Sequence, residues 1–484
     1  MKHIVTAEQM RARDNYTIKN LGIPSAVLME RAALGIAREV IQKYEELGSK
    51  GRVLCVCGTG NNGGDGAACA RILHMKGVRA DLFIVGDPEK FTGEMRLQEK
   101  ICKKLGILEV TNPNYLSYQI IVDAMFGIGL SRDVEGEASD VISAINDCGA
   151  YVISADIPSG LHADSGRVLS VAVRADATVA MQAKKAGMLL GQGRALCGTV
   201  TVQPLYADEG EPELFYQEEA EIAALLPKRP FDSHKGMNGH ALLCVGSKTY
   251  PGAALLSARA ALRGGAGLVS VCTPDPVRPF FAAVPEAITI PTGTDDWCEA
   301  AAERAIAAME NKQAIAVGSG GGKGNLLPVI EAALRSGTNL VLDADALNQM
   351  AKDRSLLHLL HENVVLTPHA GEMARLLDCT VSDVLSDPLG AVKAFRCTTL
   401  LKGATTLVHA NERTAFLTFG NPGLAKGGSG DVLTGLVTAL LAQGLSAFDA
   451  ARAGAYLLGT SADRAMKLLG ERALLASDVI DMVQ

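Results

Sequence analysis

Residues 53–74 read VLCVC, then GTGNNGGDG, then AACARILH. The opening run is continuously apolar, as a strand buried on both faces must be, and Arg52–Cys57 is expected to form one. Ala67–His74 has the composition of a helix, and Gly58–Gly66 joins the two. A strand feeding a glycine-rich loop that feeds a helix is the repeating unit of a parallel α/β sheet. Backbone N–H groups at such a helix start can hold anionic groups. The spacing is not G-x-G-x-x-G, so a nicotinamide-dehydrogenase label does not follow. Asn61, Asn62 and Asp65 add side-chain hydrogen-bonding groups that a bare glycine loop lacks. Asx-type self-capping of a tight turn would also use them, but two Asn and an Asp among five glycines exceed what turning requires.

Working outward, residues 7–46 show helical periodicity, with Met10, Asp14 and Ile18 and then Ala26, Met29, Ala33, Ile36 and Val40 at three- and four-residue steps. Pro24 is placed to open the second of two helices. Ala80–Val85, Gln119–Val122, Tyr151–Ser154 and Asp176–Met181 read as further buried strands, and 65–76 and 92–105 as intervening helices. This alternation predicts a Rossmann-like parallel sheet covered on both faces. Gln203–Arg229 is acidic, Pro-containing and then basic, and is expected to link two domains. The alternation then restarts. Ala241–Val245, Leu268–Cys272, Ala314–Val317, Leu340–Leu342, Val364–Leu366, Thr399–Leu401, Thr406–Val408 and Ala415–Thr418 read as strands. Residues 252–263, 325–335, 371–377, 430–442 and 447–467 read as helices, giving a second, larger α/β domain. It carries its own glycine-rich segment ending in Gly-Asp, Gly427–Asp431, about 370 residues beyond the first.

The bulk numbers agree with two domains and narrow the partners. A chain of 484 residues exceeds one ordinary core. Only 4% of residues are aromatic, so the cores must be built from Ala, Leu, Val and Ile. The formal charge of −7 argues against a nucleic-acid partner. No apolar run reaches the ~18 residues that crossing a bilayer needs, so no membrane partner is expected. Met1–Thr6 lacks the layout of a signal peptide, and most of the eleven cysteines lie in apolar runs as thiols suited to a reducing compartment, so a cytoplasmic enzyme is expected.

Two more acids sit at predicted strand ends of the first domain. Asp123 closes Ile120–Val122 and precedes the loop Ala124–Asp133, and Asp156 follows Tyr151–Ala155. In open parallel sheets, ligands bind outside the carboxyl ends of the strands, where Asn62, Asp123, Asp156 and Ser159 would converge. Each alone reads as a helix cap or loop stabiliser. Oxygen donors without His or Cys suit a hard cation. Residues 1–215 resemble the NAD(P)H-hydrate epimerases through TAEQM (6–10), LMERA (28–32), GNNGGDG (60–66), VDAMFGIGL (122–130) and DIPSGLHADSG (156–166). The resemblance implies a Rossmann-like domain that interconverts the R and S hydrates of NADH and NADPH. It implies a potassium ion held by Asn62, Asp123 and Ser159. It implies substrate contacts at Asn61, Asn62, Gly63, Gly64 and Asp65, at Gly127, Ile128, Gly129, Leu130, Ser131, Arg132 and Asp133, and at Asp156. Asp156 is the candidate for proton transfer.

In the second domain Lys402–Thr406 is a small-residue loop between two predicted strands, and Asn421–Asp431 leads into a long apolar helix. Amides at Gly428–Asp431 would form an anion hole, with Asp431 placed to take a proton from an attacking hydroxyl; an N-cap after a flexible linker is the plainer alternative. Asp343 and Asp345 follow a strand, where they would hold magnesium through water or cap the next helix. These stretches, over about 225–484, resemble the ADP/ATP-dependent NAD(P)H-hydrate dehydratases of the ribokinase-like superfamily. The markers are HKGMNGHALLCVGS (234–247), PGAALLSARAALRGGAGLV (251–269), LVLDADALN (340–348), LTPHAGE (366–372), LLKGATTLV (400–408) and GNPGLAKGGSGDVLTG (420–435). The resemblance implies that Lys402, Gly403, Ala404, Thr405, Thr406 and Gly430 bind ADP or ATP with Mg²⁺. It implies that Ala253, Gly320, His369 and Asp431 contact the hydrated dinucleotide, and that the chain works as a homo-oligomer. Phosphorylation turns the ring hydroxyl into a good leaving group, and loss of phosphate restores the dihydropyridine, with Asp431 as the catalytic base. A ribokinase-class small-molecule kinase would share Asp431 and the anion hole. A first domain reduced to a binding module is a further alternative.

Overall fold

A computed structural model of the chain describes residues 1–206 and 211–484. The chain forms two compact units, His3–Pro212, and Glu213–Gln484 together with Met1–Lys2. The division falls inside the expected linkage, of which residues 207–210 lie outside the described residues. The short strand Leu214–Tyr216, not anticipated from sequence, pairs in parallel with Arg413–Leu417 and so belongs to the second unit.

The first unit is built on six parallel strands in the order Ala80–Ile84, Val53–Cys57, Ile120–Ala124, Tyr151–Ala155, Ala177–Met181, Thr199–Gln203. Val53–Cys57 precedes the other five in the chain yet lies inside the sheet, with its successors on both sides. Alternate residues of the inner strands enter different cores, as a sheet covered on both faces requires. Val53, Cys55 and Cys57 pack with Ile120, Val122 and the helices Ser25–Glu46 and Asn61–Met75. Leu54 and Val56 pack with Ile121 and the helix Glu137–Asp147 on the other face.

Two expectations at the glycine-rich segment and the third strand are corrected. Strand Ile120–Ala124 runs past Val122, so Asp123 is inside it rather than after it. The helix begins at Asn61, with Gly60 as its N-cap, so Asn61–Asp65 form a first helical turn rather than a loop. The glycines misled because they serve close approach. A Cβ at Gly63 would lie 1.9 Å from the Gly58 carbonyl oxygen, and one at Gly66 would lie 2.5 Å from the Ala124 methyl. Backbone that near leaves no room for a side chain, so the helix start is pressed onto the strand ends.

In the second unit seven strands run parallel, in the order Ile288–Pro291, Leu268–Thr273, His240–Cys244, Ala314–Val317, Asn339–Leu342, Val364–Leu366, Thr398–Leu401. Thr406–Ala410 and Arg413–Leu417 then continue the sheet antiparallel, making it mixed. Helix Ser429–Ala442 is buried at every position from Val432 to Ala442. A helix apolar all round belongs inside, and small residues let it approach its neighbour. A Cβ at Gly435 would lie 2.2 Å from the Ser257 carbonyl oxygen of helix Pro251–Arg263. That contact fixes where the helix begins, and so where Asp431 sits. Among the described residues no helix is long and apolar enough to cross a membrane.

Gly63→Ala should therefore destabilise the first unit by about 1–3 kcal/mol, the usual range for an overpacked site. Gly93→Ala, at a helix start with nothing within 4 Å of the added methyl, should be neutral or slightly stabilising. Urea unfolding of the two variants decides; equal stability would sink the packing account.

Candidate functional site

The first unit's candidate residues gather where its sheet changes direction. Helix Asn61–Met75 follows Val53–Cys57 onto one face, and helix Glu137–Asp147 follows the neighbouring Ile120–Ala124 onto the other. The crevice between such a pair of strand ends is the natural ligand site of an open α/β sheet.

Asp123 is fully buried there and is saturated with donors. Its carboxylate accepts from Ser159 Oγ at 2.5 Å, Ser159 N–H at 2.8 Å, Ser154 Oγ at 2.8 Å and Met125 N–H at 3.4 Å. Burial still raises its pKa above the ordinary carboxylate value, with these donors opposing the shift. Ser159 Oγ accepts from Phe126 N–H at 2.9 Å and lies 3.5 Å from the Phe126 carbonyl oxygen. Asn62 packs beside Gly127, and its buried Nδ2 finds no hydrogen-bond partner among the described residues. Asn62, Asp123, Ser159 and the Phe126 carbonyl thus form an all-oxygen neighbourhood once the Asn62 amide presents its oxygen. Its one carboxylate suits a weakly charged hard cation.

Asp156 follows its strand at φ +66°, a left-handed conformation that few non-glycine residues adopt. Its carboxylate accepts the Met181 N–H at 3.1 Å and pairs with the Lys185 ammonium. Lys185 is fully buried and also donates to the Met181 carbonyl at 2.8 Å. Asp65 faces the same charges. Burial, first, and then the carboxylates of Asp156 and Asp14 push its pKa well above the ordinary range, with Lys185 opposing them. Ile128 packs on Val5, Met10 and Ala183 beside this group. Asn61, Gly129, Ser131, Arg132 and Asp133 lie exposed; Gly63 abuts the Gly58 carbonyl, Gly64 the Met29 side chain and Gly127 the Asn62 side chain. Lys185 and Asp14 were not among the sequence candidates.

The second unit centres on Asp343, which is 2% exposed. One oxygen accepts from Thr367 Oγ1 at 2.8 Å and Lys402 Nζ at 2.8 Å, the other from Thr434 Oγ1 at 3.1 Å and Ser319 Oγ at 3.2 Å. Both oxygens are thus engaged within the protein rather than capping the following helix. Asp345 is committed to the Gly322 N–H at 2.8 Å. Lys402, expected with the nucleotide loop, turns its ammonium back into this network, 3.8 Å from Glu372. Burial lowers its pKa, but Asp343 and Glu372 outweigh burial and leave it raised. A Cβ on Gly430 would lie 3.5 Å from Lys402 Nζ and 3.7 Å from Asp343, so the start of helix Ser429–Ala442 meets the network directly.

Asp431, in that first turn, has its carboxyl pushed up to about 7 by burial and by Asp343, against the pull of Lys402 and a Ser319 hydrogen bond. His369 caps helix Ala370–Leu377: Nδ1 accepts the Gly371 and Glu372 N–H groups at 2.9 and 3.3 Å. Nε2 lies 3.4 Å from a Glu372 carboxylate oxygen, on a half-exposed side chain. Gly320 and Ala253 are neighbours, a Cβ on Gly320 falling 2.5 Å from the Ala253 methyl. Gly403 and Ala404 lie exposed at the loop tip, while Thr405 is buried and Thr406 opens the next strand. Ser319, Thr367, Glu372 and Thr434 complete the network and were not assigned roles from sequence.

Family models match both parts of the chain: "YjeF-related protein N-terminus" over residues 25–187 and "NAD(P)H-hydrate dehydratase" over 241–484. The bifunctional NAD(P)H-hydrate repair enzyme Nnr of Moorella thermoacetica is 34% identical, over 99% of this chain and 96% of its own. The enzyme of the same name from Escherichia coli is 34% identical over 89% and 84%. Among solved structures, a ribokinase-like superfamily protein from Enterococcus faecalis superposes with a TM-score of 0.50 at 24% identity, covering 57% of this chain and 96% of that one. At that identity the likeness speaks for the fold of the second unit.

The Asp431 carboxyl has a pH signature of its own. Folded, it keeps its proton to about pH 7; unfolded, an aspartate releases it near ~3.9. Between those values the folded chain binds more protons, so this group's contribution to stability falls as pH rises through the window. Asp431→Asn should raise the urea midpoint relative to wild type at pH 8, with the gain vanishing near pH 4. A difference independent of pH would contradict the burial of this group.

Proposed function

This chain belongs to the bifunctional NAD(P)H-hydrate repair enzymes, and from that premise we propose how its residues divide the two reactions. One activity of the family interconverts the R and S hydrates of NADH and NADPH. The other returns the S hydrate to NAD(P)H at the expense of ADP or ATP. We assign the first to residues 1–215 and the second to residues 225–484.

In the epimerase site, the ring of the hydrate lies in the crevice above the helix start Asn61–Asp65, with loop 127–133 at its side and Asp156 as the proton-transfer residue. Asn62, Asp123 and Ser159 would hold potassium, whose charge would offset that of the buried Asp123 carboxylate. The Asn62 amide nitrogen, which has no hydrogen-bond partner among the described residues, and the full burial of the Asp123 carboxylate support this reading.

In the dehydratase site, the first-turn position of Asp431 beside Lys402 and Asp343 carries the assignment. A carboxyl titrating near the working pH is well matched to removing the proton of the ring hydroxyl. The freed oxygen forms a bond to the terminal phosphorus as the bond to the nucleotide breaks. The helix-start amides and the Lys402 ammonium face the charge on the transferring group. The electron pair of the ring nitrogen then expels phosphate, and loss of a proton from the adjacent carbon restores the double bond. Lys402–Thr406 and Gly430 hold the nucleotide, and Ala253, Gly320 and His369 border the hydrate. Mg²⁺ would enter with the nucleotide and offset the charge of its phosphates.

Incubation of mixed R and S hydrates with ADP or ATP, followed by chromatography, tests the division. Wild type should consume both epimers and release orthophosphate. Asp431→Ala should consume neither while still equilibrating them, and Asp156→Asn should stop at the S epimer. Loss of both activities in folded Asp431→Ala, or a stable phosphorylated product, would sink the assignment.

A further inference from the structure

The fully buried ammonium of Lys185 has no role in the assignments above, and neither does Asp14. Both are brought to the epimerase crevice by the N-terminal strand. Lys2–Val5 pairs in parallel with Lys184–Lys185, placing Val5 opposite Lys185. Thr6 then caps helix Ala7–Lys19 with a full capping box, and the Ala7 N–H is tied to Asp164 Oδ1 at 2.6 Å. The helix is thereby aimed along the crevice. Asp14 lies one turn beyond Met10, which packs with Ile128 and Ala183, and its carboxylate accepts the Tyr206 hydroxyl at 3.2 Å. Lys185 pairs with Asp156 from the opposite side. Asp65, in the first turn of helix Asn61–Met75, interacts electrostatically with Asp156, Asp14 and Lys185. One buried cation thus faces three carboxyl groups from three different elements.

We propose that Asp14, Asp65, Asp156 and Lys185 act as one acid–base cluster in epimerisation, the Lys185 ammonium balancing the Asp156 carboxylate while Asp65 delivers the proton with which the ring hydroxyl leaves. The proposal rests on the epimerase reading of this unit. Protonation by Asp65 breaks the carbon–oxygen bond; the electron pair departs with oxygen as water, and the ring becomes a cation shared with its nitrogen. A water molecule at the other face re-forms the bond and gives its surplus proton to Asp156. Transfer of that proton to Asp65 through the cluster closes the cycle, so no other reactant is consumed. Lys185 and Asp14 are positioning residues: they set how many protons the cluster holds. The raised pKa of Asp65, due first to its burial and then to Asp156 and Asp14, agrees with its part as the acid. The buried Cys57 thiol behind the helix start and the Tyr206 hydroxyl on Asp14 are the other titratable groups that face them.

The test is the pH profile of kcat/KM for R-to-S exchange without nucleotide, read by chromatography. Wild-type exchange checks the epimerase reading itself. Asp65→Asn should slow exchange by ~10²-fold or more, the usual contribution of a general acid. The alkaline limb reports the acid, and its neighbours move it in opposite senses. Asp14→Asn removes a carboxylate that holds the Asp65 proton, so the limb moves to lower pH. Lys185→Met removes a cation that opposes it, so the limb moves to higher pH. A variant that merely loosened the site would not produce opposite shifts. Should Lys185→Met fail to fold, Asp14→Asn, at a partly exposed position, decides alone. An active wild type whose limb stays fixed in Asp14→Asn, or moves upward, overturns the cluster while leaving the epimerase reading intact. An inactive wild type overturns the reading beneath it.

Discussion

A carboxylate buried at the end of a parallel strand must be surrounded by donors, and both units are organised by that requirement. Water would solvate such a charge from every side; inside a protein its lone pairs have to be met by groups brought from elsewhere. Asp123 draws in the hydroxyls of Ser154 and Ser159 and the amides of Ser159 and Met125, so that two adjacent strand ends and their loops become one piece. Asp343 does the same with Thr367, Lys402, Ser319 and Thr434, which come from four separate segments. Neither aspartate is placed to transfer a proton itself. Their work is to hold Asp156 in the one unit, and Asp431 in the other, where a hydroxyl can reach them.

Backbone strain sits beside both of these buried acids. Asp156 at φ +66° and Ala344 at φ +49° are non-glycine residues in conformations that cost of order 1–3 kcal/mol each. Each is over-determined by its surroundings. The Lys185 pair and the Met181 amide hold Asp156, and the saturated Asp343 precedes Ala344. The sharp turns re-aim the chain as it leaves the sheet, and for Asp156 that points the carboxylate along the crevice. The surplus glycines of Gly318–Gly322 answer a similar demand, since a Cβ on Gly318 would lie 2.1 Å from the Asp343 carbonyl oxygen.

The strands were legible because strands buried on both faces leave uninterrupted apolar runs, and the order of strands and helices followed. Lys2–Val5, Thr199–Gln203, Leu214–Tyr216 and Ile288–Pro291 were not, being short or carrying exposed residues that break the apolar run. The Asn61–Asp65 turn reads as a loop because glycine is a turn residue in sequence, while its use here is close contact. The candidate residues could be drawn from motifs, yet their partnerships could not. Lys402 was grouped with its loop neighbours, and only the folded chain shows its ammonium turned back to Asp343. Asp14 left a signal that went unused: it falls on the apolar stripe between Met10 and Ile18, where a charge needs a reason. Lys185 left none, since lysine after a strand is ordinarily a solvated end.

The two crevices share an electrostatic design that fits the chemistry on the ring rather than the charge of the dinucleotide. Lys185 is the near cation for Asp14, Asp65 and Asp156, as Lys402 is for Asp343, Glu372 and Asp431. Burial first, and then the crowding of carboxylates around one cation, hold the protons of Asp65 and Asp431 far up the pH scale. The anionic phosphates of the dinucleotide would find no attraction here, so their binding falls to helix-start amides and glycine backbone. The reacting ring is different. Departure of water or of phosphate leaves positive charge on the ring and its nitrogen, and an acid-rich pocket favours that charge at the moment it forms. A second lysine in either crevice would ease the burial of the carboxylates and at the same time oppose the cation that both reactions must pass through.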